Sequence, residues 1–178
     1  MHNEIIIAGF GGQGVLFAGK LLAHAALQAG YEVTWLPSYG PEMRGGTANC
    51  TVVISDSEIG SPQVFHPKAA IVLNQPSLDK YEPLIQPEGY LIINTSLVNR
   101  TAKRKDIHII SIPGTEEAEK LGDKRLTNMV LLGGLVQNTG FVPLEAVEEA
   151  LESSSTEKQK HLLELNRKAL HKGAEYKG

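Results

Sequence analysis

The chain has 178 residues, of which 42% are hydrophobic, and its formal net charge is −3 at pH 7; this length predicts one domain over residues 1–178 that folds without disulfides or a structural metal. The negative charge argues against nucleic acid as a partner, because proteins that neutralise phosphate backbones are basic. The chain has one cysteine, Cys50, which cannot form a disulfide within the chain or hold a zinc ion or an iron–sulfur cluster by itself.

The N-terminal part of the chain predicts a strand, a glycine turn and a helix. Residues 4–8 are apolar and mostly β-branched and stop at a glycine cluster, which is typical of a strand buried on both faces. Apolar residues at helical spacing then run from 13 to 29, and Gly30 follows where a C-terminal cap belongs. The N-terminus lacks the basic region and long apolar run of a signal peptide, so we expect a cytoplasmic protein with no membrane partner.

The middle of the chain alternates apolar runs with helical and loop segments. Five further strands are predicted at residues 31–36, 47–55, 69–73, 90–94 and 107–112, with a helix at 76–85. This alternation favours an α/β fold. We expect a Rossmann-like, mostly parallel open sheet with helices on both faces.

The C-terminal part of the chain predicts extra helices. They cover residues 116–121, 128–138, 144–151 and 158–171, with Thr115, Pro143 and Thr156 at three of the starts. The nearly all-apolar helix 128–138 contains Gly133 and Gly134, which destabilise a helix unless close packing requires them. We expect this helix to be buried within the fold or against another subunit.

The glycine turn Gly9-Phe10-Gly11-Gly12-Gln13-Gly14 matches G-x-G-x-x-G directly after a predicted strand. Free N–H groups at the start of the following helix attract a phosphate or a carboxylate. A dinucleotide site also requires an acidic residue at the end of the second strand, whereas Glu32 lies at the start of that strand. Two interpretations stay open: an anion site, or glycines that serve close helix–sheet packing.

The loop over residues 37–47 is rich in proline and glycine and is longer than most connections. It follows a strand that runs in the direction of the first strand, so it lies on the edge of the sheet where ligands of α/β folds bind. Arg44 suits a carboxylate or a phosphate, and Glu42 suits orienting Arg44 or meeting a partner chain. The alternative is a rigid surface turn with a solvated Arg44.

Other polar residues indicate no catalytic chemistry. We expect His24 to pack partly buried in the first helix and Cys50 to be a buried, inert thiol. The basic run 100–105 is predicted as a solvated turn, with contact to an acidic partner such as a ferredoxin as the alternative. The histidine spacing shows no metal-binding pair, and no nucleophile motif is present. We therefore expect no catalytic and no metal-ligating residue on this chain.

Three segments together resemble a known family. They are Gly9-Phe10-Gly11-Gly12-Gln13-Gly14-Val15, Ser38-Tyr39-Gly40-Pro41-Glu42-Met43-Arg44-Gly45-Gly46 and Ile54-Ser55-Asp56-Ser57-Glu58-Ile59. The chain resembles the gamma subunit of 2-oxoacid:ferredoxin oxidoreductases over essentially its whole length, including residues 165–173. The loop form is more similar to the 2-oxoglutarate or ketoisovalerate (branched-chain) members than to the pyruvate members.

The resemblance implies a non-autonomous enzyme subunit. In the family, the complex uses thiamine diphosphate, iron–sulfur clusters and coenzyme A to convert a 2-oxoacid into an acyl-CoA and CO2, with ferredoxin as the electron acceptor. The gamma chain packs on alpha and beta subunits, beside a ferredoxin-like delta subunit in some members, and by itself binds none of these cofactors. We expect the isolated chain to be inactive and to self-associate through its exposed docking face.

The expected ligand or docking surface combines the two loops. Its residues are Gly9, Gly11, Gly12, Gln13, Gly14, Tyr39, Glu42, Arg44 and Gly45. Two other function classes stay open: a stand-alone Rossmann-type nucleotide-binding oxidoreductase, and an anion-binding module.

Overall fold

The structure, a computed structural model, describes residues 1–38 and 47–178. The strands are β1 (His2–Phe10), β2 (Glu32–Ser38), β3 (Thr47–Ser55), β4 (Ala69–Val72), β5 (Tyr90–Asn94) and β6 (His108–Ile112). The helices are α1 (Val15–Gln28), α2 (Gln75–Tyr81), α3 (Gly114–Lys120), α4 (Thr127–Thr139), α5 (Leu144–Ser154) and α6 (Lys160–Ala174). Short 3-10 turns occupy Glu82–Leu84, Lys124–Leu126 and Glu157–Gln159.

The strands form one six-stranded sheet in the order β2-β3-β1-β4-β5-β6. Strands β1, β4, β5 and β6 are parallel, whereas β3 is antiparallel to both β1 and β2. Strand β2 therefore runs in the direction of β1 without pairing with it. The predicted mostly parallel, open sheet is confirmed, and β3 is the exception within it.

The two faces of the sheet carry separate apolar clusters. Ile5 and Ile7 face α1, α4, α5 and α6, while Ile6 and Ala8 face the α2 side. Because β1 is covered on both faces, its residues 5–8 are apolar without alternation. Helices on both faces and the extra C-terminal helices are thus confirmed.

Most helix bounds differ from their prediction by a few residues, and two of the differences have an identifiable cause. The helix predicted at 76–85 ends at Tyr81 and continues as a 3-10 turn containing Pro83, because proline lacks the N–H that would continue the α-helical ladder. The prediction that Thr115 caps α3 is wrong. Helix α3 begins at Gly114, and the Asn94 Oδ1 accepts hydrogen bonds from the N–H groups of Gly114 (3.0 Å) and Thr115 (3.4 Å) instead.

Helices α4 and α6 cross in close contact at glycines. A Cβ on Gly133 would collide with the Leu170 carbonyl, and a Cβ on Gly173 would collide with the Val130 carbonyl. Helix α4 is almost wholly buried against α6 and the sheet. The expected close packing at Gly133 is confirmed, and α4 is buried within the fold.

The basic run 100–105 is partly solvated: Thr101, Lys103 and Lys105 are exposed, as the predicted turn requires, whereas Arg100 and Arg104 are partly buried in ion pairs. Glu82, which is 2% exposed, pairs with the Arg100 guanidinium at 2.8 Å. Its Oε1 also accepts hydrogen bonds from the backbone N–H groups of Lys103 and Arg104. The buried Glu82 carboxylate thus fixes the position of the run, because it accepts hydrogen bonds from three of its residues.

Candidate ligand and docking site at the glycine turn

The glycine turn connects the carboxyl end of β1 to α1. Gly12 and Gly14 have φ angles of 90° and 73°, a left-handed conformation that glycine adopts without strain. Gly14 is the N-cap residue of α1 and provides no side-chain cap. The turn therefore presents backbone at the helix start, as the sequence motif predicts.

The Gln13 side chain folds back across the turn. Its Oε1 accepts a hydrogen bond from the Phe10 backbone N–H at 2.6 Å, and a Cβ on Gly9 would lie 2.6 Å from that same oxygen. Gly9 thus leaves room for the Gln13 amide, which a Cβ at this position would displace. Gln13 closes the turn and at the same time lines the neighbouring cleft.

Asn128, at the start of α4, supports the turn from the other side. Its Nδ2 donates to the Gly14 carbonyl at 3.0 Å, and a Cβ on Gly14 would collide with that nitrogen. Its Oδ1 accepts from the Met129 N–H at 2.9 Å. Asn128 is not among the site residues predicted from the sequence; the available signal was a polar residue at the start of an otherwise apolar helix.

A second amide, Asn94, organises the end of β5. The side chain is fully buried, and its Nδ2 donates to the Leu73 carbonyl (3.2 Å) and the Thr115 hydroxyl (3.1 Å). With the two backbone N–H groups on its Oδ1, Asn94 joins β4, β5 and α3. This residue is not predicted from the sequence, because its partners are 20 or 21 positions away along the chain.

A cleft of about 360 Å³ opens beside the turn at the carboxyl edge of the sheet. It is lined by Gly12, Gln13, Leu97, Thr115, Glu119, Lys124, Arg125 and Thr127. The Arg125 guanidinium hydrogen-bonds Asp123 and holds the pKa of that carboxyl below its usual value. Lys124 forms no ion pair within the part of the chain that the structure describes.

On the other side of the turn lies an exposed apolar groove of about 300 Å³, which we call the turn face. It is lined by Phe10, Gly11, Gly12, Gly14, Val15, Leu16, Phe17 and Ala48. Phe10 and Phe17 are 39% and 47% exposed. Two phenylalanines exposed around a glycine turn are features of a contact surface for another molecule.

The predicted site residues fall into two groups. Gly9, Gly11, Gly12, Gln13 and Gly14 lie together in the turn, whereas Tyr39, Glu42, Arg44 and Gly45 lie outside the described residues. The described residues on either side of that loop lie at the same edge of the sheet as the glycine turn. Thr47 pairs with Phe10, and Asn49 faces both Ala8 and Ser38.

The remaining candidate residues, Glu32, His24 and Cys50, do not contribute to the site at the glycine turn. Glu32 pairs with Ser55, as does His2 at the amino end of β1, so Glu32 is at the edge away from the turn and does not serve as the ribose-binding acid. His24 is partly buried and Cys50 is fully buried, as predicted. Burial raises the pKa of the Cys50 thiol to about 12.

Within residues 1–38 and 47–178, no cluster suited to a metal ion occurs, and no helix is long and apolar enough to span a membrane.

Comparison with protein-family models decides the family. The model described as pyruvate ferredoxin/flavodoxin oxidoreductase matches residues 4–176. The chain belongs to this family. The resemblance identified from the glycine turn and the loop is thereby confirmed.

Relatives within the oxidoreductase family cover the chain almost completely. It is 39% identical over 161 residues to the 2-oxoglutarate synthase subunit KorC of Methanothermobacter marburgensis, which covers 86% of this chain and 87% of that protein. It is 38% identical over 175 residues to the ketoisovalerate oxidoreductase subunit VorA of the same organism, covering 97% of this chain and 36% of VorA. The chain thus spans about a third of the length of its VorA relatives.

Solved structures of the family share the fold. The keto/oxoacid ferredoxin oxidoreductase gamma subunit from Geobacter sulfurreducens matches with a TM-score of 0.86 and 33% identity, over 98% of this chain and 95% of that chain. The 2-oxoglutarate:ferredoxin oxidoreductase from Magnetococcus marinus, solved with 2-oxoglutarate, coenzyme A and succinyl-CoA, matches with a TM-score of 0.87 and 23% identity, over 98% of this chain and 31% of that chain. The latter likeness establishes the fold alone.

Proposed function

We propose that this chain is the gamma subunit of a multisubunit, thiamine-diphosphate-dependent 2-oxoacid:ferredoxin oxidoreductase. The complex converts a 2-oxoacid, coenzyme A and oxidised ferredoxin into an acyl-CoA, CO2 and reduced ferredoxin. The observation that carries the proposal is the match to KorC over most of both chains. The similarly sized Geobacter sulfurreducens gamma subunit supports it.

In this proposal the redox and thiamine cofactors are held by partner subunits. The chain has one cysteine, and Cys50 is fully buried with its thiol protonated at neutral pH. An iron–sulfur cluster is held by about four protein ligands, mostly cysteine thiolates, so one cysteine does not hold it. Coenzyme A belongs to the complex; its presence in the Magnetococcus marinus enzyme supports this assignment.

The substrate of the complex in this proposal is 2-oxoglutarate or a branched-chain 2-oxoacid such as ketoisovalerate. The support is the naming of the relatives KorC and VorA at 39% and 38% identity. A gamma chain common to pyruvate and ketoisovalerate oxidoreductases, from Pyrococcus furiosus, is 30% identical. We propose a cytoplasmic location, in keeping with ferredoxin as the acceptor.

The role of the chain in the complex is to dock on the alpha and beta subunits beside the active site. We propose that the docking surface is the turn face together with the loop that carries Tyr39, Glu42, Arg44 and Gly45. The support is the exposure of Phe10 and Phe17 around the glycine turn. The pairing of Thr47 with Phe10 brings the start of β3 to the same surface.

The test is affinity purification of the tagged chain from its native cells without oxygen. We expect larger alpha and beta subunits to copurify and the eluate to reduce a ferredoxin-like dye when a 2-oxoacid and coenzyme A are both supplied. Omission of coenzyme A is the control. The preferred 2-oxoacid is determined in the same assay, and a chain recovered alone and without activity contradicts the proposal.

A further inference from the structure

The connection between β5 and β6, residues 95–107, crosses the α2 side of the sheet, and we call it the strap. Because β5 and β6 are parallel, the chain has to return from the carboxyl edge of the sheet to the amino edge between them. The strap does so without a helix or a strand of its own. Val98 and Ala102 pack against the apolar cluster that α2 covers. The strap is therefore a surface layer on the opposite side of the sheet from α1.

Ion pairs on the inner side of the strap hold it in one position. The Arg100 guanidinium pairs with the buried Glu82 carboxylate and with Asp79 of α2, at 2.8 Å in each case. The Arg104 guanidinium pairs with Asp106. Because carboxylates of the chain itself engage both arginines, these two charges are largely compensated within the fold.

The outer side of the strap carries ammonium groups that the fold does not compensate. Thr101, Lys103 and Lys105 are exposed, whereas the two residues between them are partly buried. Such alternation is typical of an extended segment, in which residues two positions apart point the same way and lie about 7 Å apart. Neither lysine forms an ion pair with a residue that the structure describes.

Lys80 of α2 extends this positive surface. It is exposed and has no ion-pair partner in the part of the chain that the structure describes. The neighbouring Asp79 connects α2 to the strap: the hydrogen bond from Arg100 holds the pKa of that carboxyl below its usual value, and the charge of Lys103 acts in the same direction. The three lysines thus belong to one continuous surface formed by α2 and the strap.

The charge balance of this region is opposite to that of the chain. Residues 75–84 and 95–107 hold five basic and three acidic side chains, whereas the whole chain has a net charge of −3. One of the three acids, Glu82, is 2% exposed, and the arginines engage the other two. An approaching molecule therefore meets mainly the three lysines.

An exposed aromatic side chain lies next to this basic surface. Phe65 is 69% exposed, the largest value among the exposed large apolar side chains of the described residues. The Nδ1 of its neighbour His66 contacts the Leu84 carbonyl at 3.3 Å, and the Arg104 guanidinium donates to the carbonyl of the next residue, Ile85. An aromatic side chain with charged groups around it is a feature of protein-binding surfaces.

We propose that Lys80, Lys103, Lys105 and Phe65 form a docking surface for an extended, acidic segment of a protein partner. Carboxylates at every second residue of such a segment repeat at about 7 Å, which is the spacing of Lys103 and Lys105. An apolar residue beyond the carboxylates covers Phe65. Opposite charges speed the encounter and select against basic partners. The turn face, by contrast, is built around α1, so this inference goes beyond the proposed function and does not depend on it.

The test is NMR titration of the full ¹⁵N-labelled chain with a synthetic peptide in which glutamate alternates with serine and a leucine stands at each end. We expect saturable shifts of the Phe65, Lys103 and Lys105 amides, and an affinity that falls as salt is added. The absence of saturable shifts at these amides overturns the proposal.

Two further probes test the kind of ligand. A peptide of the same composition with its glutamates contiguous is expected to bind about threefold more weakly, because fewer carboxylates reach the lysines at once. Equal binding of both peptides shows attraction by charge alone and overturns the proposal. Binding of oligothymidylate to the same amides as tightly as the alternating peptide makes nucleic acid the ligand, which also overturns it.

Four variants make the test specific. We expect Lys103→Gln and Lys105→Gln each to weaken binding of the alternating peptide about threefold, and Phe65→Ser to weaken it about fivefold. Asp106→Asn removes a negative charge beside Lys105 and is expected to strengthen binding, which a merely unfolded variant does not do. Unchanged affinity in all four variants overturns the proposal.

The matched control is Lys20→Gln, at an exposed position of α1 on the other side of the sheet. It removes the same charge as Lys103→Gln, so we expect the affinity of the wild type. An equal loss in both variants indicates non-specific attraction by net charge and contradicts a defined docking surface. These measurements use the chain and the peptide alone, whereas copurification of alpha and beta subunits tests the proposed function separately.

Discussion

Side-chain amides and buried carboxylates determine the local geometry of this protein at the scale of single residues. Asn94 bonds the end of β4 and the start of α3 from the end of β5, and Asn128 bonds the Gly14 carbonyl from the start of α4. Gln13 closes the glycine turn onto Phe10. Buried amides need all their partners, since an unsatisfied buried polar group destabilises the fold. These three residues therefore hold the glycine turn and the starts of α3 and α4 in place.

Glu82 provides the sharpest prediction at this scale. Burial by itself raises its pKa, but the Arg104 N–H, the Arg100 guanidinium and the Lys103 N–H outweigh burial and hold the pKa below its usual value. We expect Glu82→Gln to lower the free energy of unfolding by about 2–3 kcal/mol. This is less than the loss of a fully buried pair, because Arg100 retains Asp79. Urea unfolding monitored by circular dichroism measures this change in the free energy of unfolding.

The pH dependence of unfolding follows from the direction of the Glu82 pKa. Because the native pKa is lowered, the stabilisation is present above the unfolded-state pKa of about 4.3 and is lost as the pH falls below it. The variant should therefore lose less stability than the wild type on acidification. The control is Glu149→Gln at an exposed position, expected within about 0.5 kcal/mol of wild type; an equal effect of both substitutions contradicts the prediction.

The helix crossing of α4 and α6 decides the packing at the scale of elements. Gly133→Ala places a methyl group against the Leu170 carbonyl, which is rigid backbone, so the two helices must separate. We expect a loss of about 2–3 kcal/mol in the free energy of unfolding, despite the higher helix propensity of alanine. Thermal and urea unfolding measure this loss.

Two further glycines are controls for Gly133, because a Cβ at each would meet progressively less obstruction. A Cβ on Gly134 meets the end of the Ile112 side chain, which can move, so Gly134→Ala should cost less. Gly60 has open space around it, so Gly60→Ala should change stability by less than about 0.5 kcal/mol. Equal losses at Gly133 and Gly60 would show that the helix crossing does not require glycine.

Elements were predictable from the sequence where burial is periodic and the ends carry local signals. Strands β3 and β5 match their predicted bounds, 47–55 and 90–94, because each is a short apolar run with polar or glycine residues outside it. The start of α3 was predicted incorrectly because Asn94, from another strand, supplies the acceptor that a local cap normally supplies. Local propensity cannot include such a partner.

The exposed turn face is the feature that acts at the scale of the whole molecule. If it contacts the alpha and beta subunits, Phe17→Ser should reduce their copurification at least about tenfold, since truncating a central aromatic anchor typically costs 2 kcal/mol or more. The stability of the isolated chain should change little, because Phe17 is 47% exposed. Quantitative pull-down of the tagged variant measures the effect.

Leu27→Ser is the matched control for this prediction. Leu27 lies on the same helix, α1, near its far end, and is 62% exposed. We expect it to leave subunit copurification unchanged. Equal retention of the partner subunits by both variants would place the docking surface elsewhere on the molecule.

The sequence by itself determined the alternation of strands and helices, the glycine turn and the family resemblance. These depend on local composition and periodic burial, which each segment carries within itself. The tertiary structure decided that β3 is antiparallel, that Asn128 supports Gly14, and that Glu82 binds residues of the basic run. These contacts join residues that are far apart in the chain, and their energies depend on burial that exists only once the sheet and helices have packed together.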